Sequence, residues 1–270
     1  MENEVRQIQL KCLEILRIVD SICRKYEIEY SLCGGSVVGA HLYKGCLPWD
    51  DDVDLMMTRD NYNRFIDVVE QELPTGFSAH NFKLTEDYQS LFTKIVNDQT
   101  TLVQQDGTVS GVFLDITVYD RVPNNWKSKI DIFLWKVSQV VTIGKIEGNS
   151  LKTKCRNFLL SVIPLLRNQT KYLNFFQKCV EALSLSKEYH YSELFGAYCN
   201  TKPYAPEIFE HYSEIEFEGE SFMIVRDYVR YLETRYDRTD FREPKEKQVA
   251  PHFQYVNFDL PYGEYLDHQT

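Results

Sequence analysis

Residues Tyr30–Met57, YSLCGGSVVGAHLYKGCLPWDDDVDLMM, decide the reading of this chain. A glycine pair and Ser36 come first, then a short apolar segment, then Asp50, Asp51, Asp52 and Asp54. So dense a run of carboxylates is costly unless a cation neutralises it or water solvates it. From Asp52 to Leu55 polar and apolar residues alternate, the pattern of a half-buried strand. On a strand, side chains two apart share a face. The spacing therefore predicts an aspartate strand over 51–57, with Asp52 and Asp54 side by side and Val53 and Leu55 behind them. Paired carboxylates on a rigid strand suit Mg²⁺, which takes carboxylates and substrate phosphates as ligands. A solvated acidic loop is the competing reading of a DDD run. Trp49 before it and VDLMM after it weigh against that reading.

Gly34, Gly35 and Ser36 follow a strand-like EIEYSLC and precede VVGAHLY, which reads as a short helix. A Gly-Gly-Ser turn into a helix start offers free N–H groups and the positive dipole end, a setting for phosphate. Gly-Ser turns are common, and it is the combination with the following aspartates that is specific. The glycine turn followed by alternating aspartates looks like the nucleotidyltransferase superfamily. The longer string GGSVVGAHLYKGCLPWDDDVDLMM resembles the LicD family, which includes phosphocholine transferases and is related to the fukutin-type proteins. Gly35, Gly39, Ala40, Lys44, Gly45, Pro48, Trp49, Asp50, Asp51, Asp52 and Asp54 carry the match. Leu42 stands where that family often has an arginine. The resemblance implies transfer of a phosphorylated group from a CDP-linked donor to a sugar hydroxyl, with a divalent metal, Mg²⁺ or Mn²⁺. On its motif it implies donor contacts at Gly34, Gly35, Ser36, Lys44 and Trp49.

The composition is that of an ordinary folded protein: 270 residues, 43% hydrophobic and 26% charged. A net charge of −10 argues against a nucleic-acid partner. The seven cysteines (Cys12, Cys23, Cys33, Cys46, Cys155, Cys179 and Cys199) form no CxxC and read as small buried hydrophobes in a reducing compartment. MENEVRQIQLKC lacks the apolar core of a signal peptide, and no apolar run of about 18 residues occurs. The expected location is cytoplasmic, with peripheral contact at the inner face of the membrane through 127–178 as an option.

Outward from the central stretch, Val5, Ile8, Cys12, Ile15, Val19, Ile22 and Tyr26 recur at helical spacing and predict a helix over 4–26. A strand over 27–33, a helix over 35–43 and a helix from Thr58 or Asp60 to Pro74 follow. Strands are predicted at 90–96 and 100–104, then a turn at GTVSG. Lys94 on the first strand is a solvated lysine or, by the resemblance, a phosphate contact. GVFLDITVYD, 111–120, is an apolar central strand interrupted by Asp115. A carboxylate between Leu114 and Ile116 needs a partner. It is either bonded within a turn or the third metal ligand beside Asp52 and Asp54, and the second is favoured. Asp120 reads as a turn residue.

Between 127 and 178 ten lysines and arginines face two acids, Asp131 and Glu147, in a helical, apolar stretch. That segment is either a solvated surface insert or one that touches an anionic membrane surface or a lipid-linked acceptor. EIEFEGESFMIV predicts a hairpin turning at Glu218 and Gly219, and RDYVRYLETRYDRTDFREP a helix. Phe217, Glu218, Gly219, Phe222, Asp227, Tyr228, Tyr231, Leu232, Tyr236 and Pro244 resemble the family's C-terminal pattern, and His252 falls where its last histidine lies. His252 reads as a structural histidine or a site residue. The final LPYGEYLDHQT reads as a loose tail.

The expected fold is α/β in the broad sense (α+β): a nucleotidyltransferase-like mixed β-sheet core flanked by helices, with a helical insert and a C-terminal α+β extension. The expected divisions are a catalytic core over 1–123, the basic insert over 124–200 and a completing segment over 201–270. The expected function is a metal-dependent transferase moving a phosphorylated alcohol from a CDP-linked donor to a glycan or lipid-linked saccharide. Asp52, Asp54 and Asp115 would act at the reacting centre and hold the metal. The alternatives are a nucleotidyltransferase acting on a small-molecule hydroxyl, and a non-catalytic glycan- or nucleotide-binding module of the same fold.

Overall fold

The computed structural model describes residues 2–85, 88, 92–144, 150–194, 200–241 and 252–268. The chain divides into two compact units, one of residues 1–79, 94–117 and 207–270, the other of 80–93 and 118–206. Residues 90–91 of a predicted strand, Lys145 and Glu147 of the basic segment, Cys199 and Pro244 lie outside the described residues.

In the first unit, α1 (Glu2–Lys25) places Val5, Ile8, Cys12, Ile15, Val19 and Ile22 in the core. Its stripe lies against the sheet, where the Cys12 thiol meets the Phe113 carbonyl at 3.3 Å. The short β1 (Ser31–Leu32) leads into α2 (Gly34–Tyr43), and β2 (Asp54–Thr58) is followed by α3 (Arg59–Glu72). Next come β3 (Phe77–His80), β4 (Thr93–Gln104) and β5 (Val109–Pro123). The hairpin β8 (Tyr212–Phe217) and β9 (Glu220–Val225) turns at Glu218 and Gly219, both at positive φ, as the tightest antiparallel turns require. The unit ends with α8 (Tyr228–Tyr236), β10 (Phe253–Asn257) and α9 (Tyr262–Asp267). Strands pair in the order β1–β2–β5–β4–β10, with β3 also on β4. This is the predicted mixed sheet with helices about it.

In the second unit the end of β5 pairs with β6 (Tyr189–Glu193), Tyr119 opposite Glu193 and Pro123 opposite Tyr189; β6 pairs with β7 (Asn200–Tyr204). Its helices are α4 (Ser128–Ile143), α5 (Leu151–Val162), α6 (Pro164–Arg167) and α7 (Gln169–Leu183). Tyr172, Leu173, Phe176 and Val180 bury the inner face of α7, and the Tyr172 hydroxyl donates to the Leu134 carbonyl at 2.7 Å.

Several expectations are corrected. The strand predicted over 51–57 starts only at Asp54, so Asp52 lies outside the strand, just before it. The strand predicted over 27–33 shrinks to two residues. The two strands predicted at 90–96 and 100–104 are one, β4, which runs through Asn97–Gln99 without a break. Asp120 is not in a turn; it pairs opposite Ser192 and is buried. Residues 260–268 are no loose tail: α9 forms there, the Thr101 hydroxyl donates to the Leu260 carbonyl at 2.7 Å and Tyr265 stacks on Tyr255. Cys12, Cys23, Cys33 and Cys46 are buried free thiols as expected, whereas Cys155 is exposed.

Candidate functional site

The site grows from the join between β1 and α2. Gly34 has φ +52°, a conformation that most side chains avoid. Its N–H donates to the Tyr231 hydroxyl at 3.1 Å, and a Cβ on Gly34 would sit 3.4 Å from the Arg235 guanidinium. Tyr231 and Arg235, one helical turn apart on α8, therefore cover the glycine turn. At Gly35 a Cβ would come within 2.6 Å of Asp50 Oδ2. Only glycine lets that carboxylate rest on the first turn of α2.

The loop that returns Asp50 to this point is held from α1. Buried Gln9 donates to the carbonyls of Leu47 (2.9 Å) and Asp50 (2.7 Å). The Ser36 hydroxyl accepts the N–H of Asp54 at 2.9 Å, and Cys33 N–H donates to the Asp54 carbonyl at 2.9 Å. These bonds fix the start of β2 against the start of α2. Asp115 emerges from β5 on the same face as Phe113 and Thr117, while Leu114 and Ile116 point into the core.

The phosphate cradle expected at Gly34–Ser36 is altered by these contacts. The Gly34 N–H is taken by Tyr231, and the Ser36 N–H donates to Cys33 O at 3.0 Å. The group against Gly35 is the protein's own Asp50 carboxyl. Lys44 is not gathered here either. It caps the far end of α2, roughly 15 Å along a ten-residue helix, and pairs with Glu216 at 2.7 Å. Trp49 is half-buried beside Asp50 in sequence and packs edge-on against Tyr43 at 6.0 Å.

His252 meets the acidic run from the C-terminal side. Its N–H donates to Asp51 Oδ2 at 2.7 Å, and its Nδ1 lies 2.9 Å from Asp51 Oδ1 and 4.0 Å from Asp52 Oδ2. One ligand atom from each of Asp51, Asp52 and His252 lies within 4.8 Å of the others, a compact acidic/histidine group among the described residues. The set expected from sequence, Asp52, Asp54 and Asp115, is less compact, though the three carboxylates lie within electrostatic reach of one another. Lys94 Nζ is 3.7 Å from Asp115 Oδ1 and packs over the Phe113 ring, 3.1 Å from its centroid. Asp115 Oδ1 is buried and accepts no hydrogen bond among the described residues.

The electrostatics follow from crowding in a half-dry site. Burial, then Asp52, pushes Asp50 up to about 8. Burial, then Asp51, raises Asp52. Burial, then Asp52 and Asp115, holds Asp54 well above the usual carboxylate range, against the pull of Arg235. Burial lifts Asp115 to about 6, opposed by Lys94. The bond to Asp51 raises His252 to about 9, and burial lowers Lys94. Asp50, Asp52, Asp54 and Asp115 are thus all raised, by burial first and with neighbouring carboxylates adding to it. The group of Asp51, Asp52 and His252, with Asp54 and Asp115 in electrostatic reach, could hold a metal ion.

Sequence reasoning missed Gln9, Tyr231 and Arg235 as parts of this site. Tyr231 was visible only as a matched position of the C-terminal pattern, and the spacing of Tyr231 and Arg235 on one face of α8 was the available signal. Asp50 and Asp51 were read as members of the run, not as the groups that touch Gly35 and His252.

A family model described as LicD/FKTN/FKRP, nucleotidyltransferase domain, matches residues 27–140. The lipopolysaccharide cholinephosphotransferase LicD of Haemophilus influenzae is 33% identical over 261 residues, covering 92% of this chain and 95% of that protein.

Proposed function

The chain belongs to the LicD family, and on that premise we propose that it is a metal-dependent transferase. It moves a phosphorylated alcohol, phosphocholine or a close analogue, from a CDP-linked donor to a hydroxyl of a cell-surface glycan or its lipid-linked precursor. The similarity to a lipopolysaccharide cholinephosphotransferase supports that substrate class. The observation that carries the reading is the excess of carboxylate over base around the buried, unbonded Oδ1 of Asp115.

Asp52, Asp54 and Asp115 would hold Mg²⁺ or Mn²⁺, with Asp51 and His252 bracing the flank of Asp52. The metal, when bound, supplies the charge that neutralises the donor's diphosphate. Lys94, beside Asp115, and Arg235, over the glycine turn, meet phosphate oxygens; Arg235 thus provides a guanidinium that Leu42 does not. Asp115 takes the proton of the acceptor hydroxyl. The hydroxyl oxygen bonds to the transferred phosphorus as the bond to CMP breaks, and CMP leaves. Positioning and charge do most of this work.

The test is incubation with CDP-choline and other CDP-alcohols, lipopolysaccharide and Mg²⁺, with mass detection of products. CMP release that stops with a chelator and returns with Mg²⁺ supports the reading. Pyrophosphate as by-product would point instead to nucleotide transfer, and turnover unaffected by chelation would overturn the metal assignment.

A further inference from the structure

The second unit carries a helix that is inside out. On α5, Leu151, Cys155, Phe158, Leu159 and Val162 fall at i, i+4, i+7, i+8 and i+11, one stripe about 100° wide. A helix of a folded unit turns such a stripe to the core. Here all five residues are exposed, Leu151 by 77% and Phe158 by 64%. The opposite face packs inward: Leu160 is buried, and Arg156 donates to the carbonyls of Val140 (3.1 Å) and Gly144 (2.6 Å). Lys152 and Lys154 flank the stripe, one on each side, and both are exposed. On α4 the outward row is Lys129, Phe133 and Lys136, and exposed Trp126 stands beside Lys127 just before that helix.

We propose that this face of the second unit, led by α5, docks on an anionic lipid surface, with the apolar stripe among the acyl chains and the flanking lysines at the headgroups. The arrangement is that of a helix lying in the plane of an interface. Apolar residues alone would fit many partners. Their framing by lysines, in a segment where ten bases outnumber two acids and Asp131 is buried, selects a negatively charged surface. No described helix is long and apolar enough to cross a membrane. The proposal rests on no part of the transferase reading.

The test is flotation of the full chain with phosphatidylcholine vesicles, with and without phosphatidylglycerol. The protein is expected to float only with the anionic vesicles and to be released by high salt. Phe158→Glu/Leu159→Glu changes two exposed residues, so circular dichroism and melting should match the wild type while vesicle partitioning falls about a hundredfold. Lys152→Glu/Lys154→Glu should lower it by about tenfold. The proposal is overturned if the wild-type chain ignores anionic vesicles, or if both variants float as it does. It is equally overturned if ultracentrifugation shows a dimer that Phe158→Glu/Leu159→Glu dissolves while vesicles stay bare, since the stripe would then pair with a second copy.

Discussion

Gly35→Ala adds one methyl group at the point where the acidic run meets α2. The new Cβ would lie 2.6 Å from Asp50 Oδ2. Ordinary contact is about 3.5 Å, so the carboxylate or the helix must give by roughly 1 Å. Asp50 cannot swing away freely, because Gln9 pins its carbonyl and that of Leu47. Overpacking of this kind costs about 1–3 kcal/mol. The displaced loop also carries Asp51 and Asp52, and a shift of 1 Å at a reacting centre lowers turnover about a hundredfold. Gly263→Ala is the matched control: it lies in α9, and a Cβ there meets nothing within 4 Å. The assay is CMP release at saturating CDP-choline, beside urea denaturation of both variants. Gly35→Ala should lose both stability and turnover, and Gly263→Ala neither. Wild-type turnover and stability in Gly35→Ala would refute the close approach of Asp50 and the placement of the acidic loop at the reacting centre.

Asp54→Asn should abolish Mg²⁺-dependent turnover while circular dichroism stays unchanged; retained turnover removes Asp54 from the metal set. Ser36→Ala leaves the Asp54 N–H without its acceptor and should cost about 1–3 kcal/mol in denaturant titration, with an unchanged midpoint counting against that bond. Asp131, fully buried on α4 with neither oxygen bonded among the described residues, is pushed up to about 7, by burial first and then by Asp120. Its folded value lies above the ~3.9 of an unfolded aspartate, so the fold rejects the ionised form. Stability is lost as pH rises from about 4 to 7 and levels off above that. Asp131→Asn should therefore gain on the wild type by on the order of 2 kcal/mol between pH 5 and pH 8, and a difference that does not change with pH would exclude the cause given.

Much of the fold was legible because its signals are local. Helical spacing placed α1, and the boundaries of α3 followed from Thr58 and from Pro74 with Gly76. The hairpin turn at Glu218 and Gly219 and the helix α8 after it were equally plain. The alternation that marks a strand misled at Asp52. It continues through residues 51–53, which belong to no strand; β2 begins only at Asp54. Asp120 looked like a turn because a charge at the end of an apolar run usually is one, but β6 extends the ladder past it. The glycine turn was found, whereas its occupants were not, because Tyr231, Arg235 and Asp50 arrive from elsewhere.

While the mixed sheet was implied by the family resemblance, from the order of residues alone came individual helices and strands, the acidic run, the lone carboxylate of Asp115 and the basic character of 127–178. Each is a property of neighbours in the chain, where periodicity and charge density can be read directly. Tertiary structure alone decided that His252 lies on Asp51, that Lys44 turns to Glu216 and that Gln9 anchors the acidic loop. It also decided that the apolar stripe of α5 faces outward. Spacing specifies a stripe but not its direction, which is chosen by whichever face finds a partner, here Arg156 with the carbonyls at the end of α4.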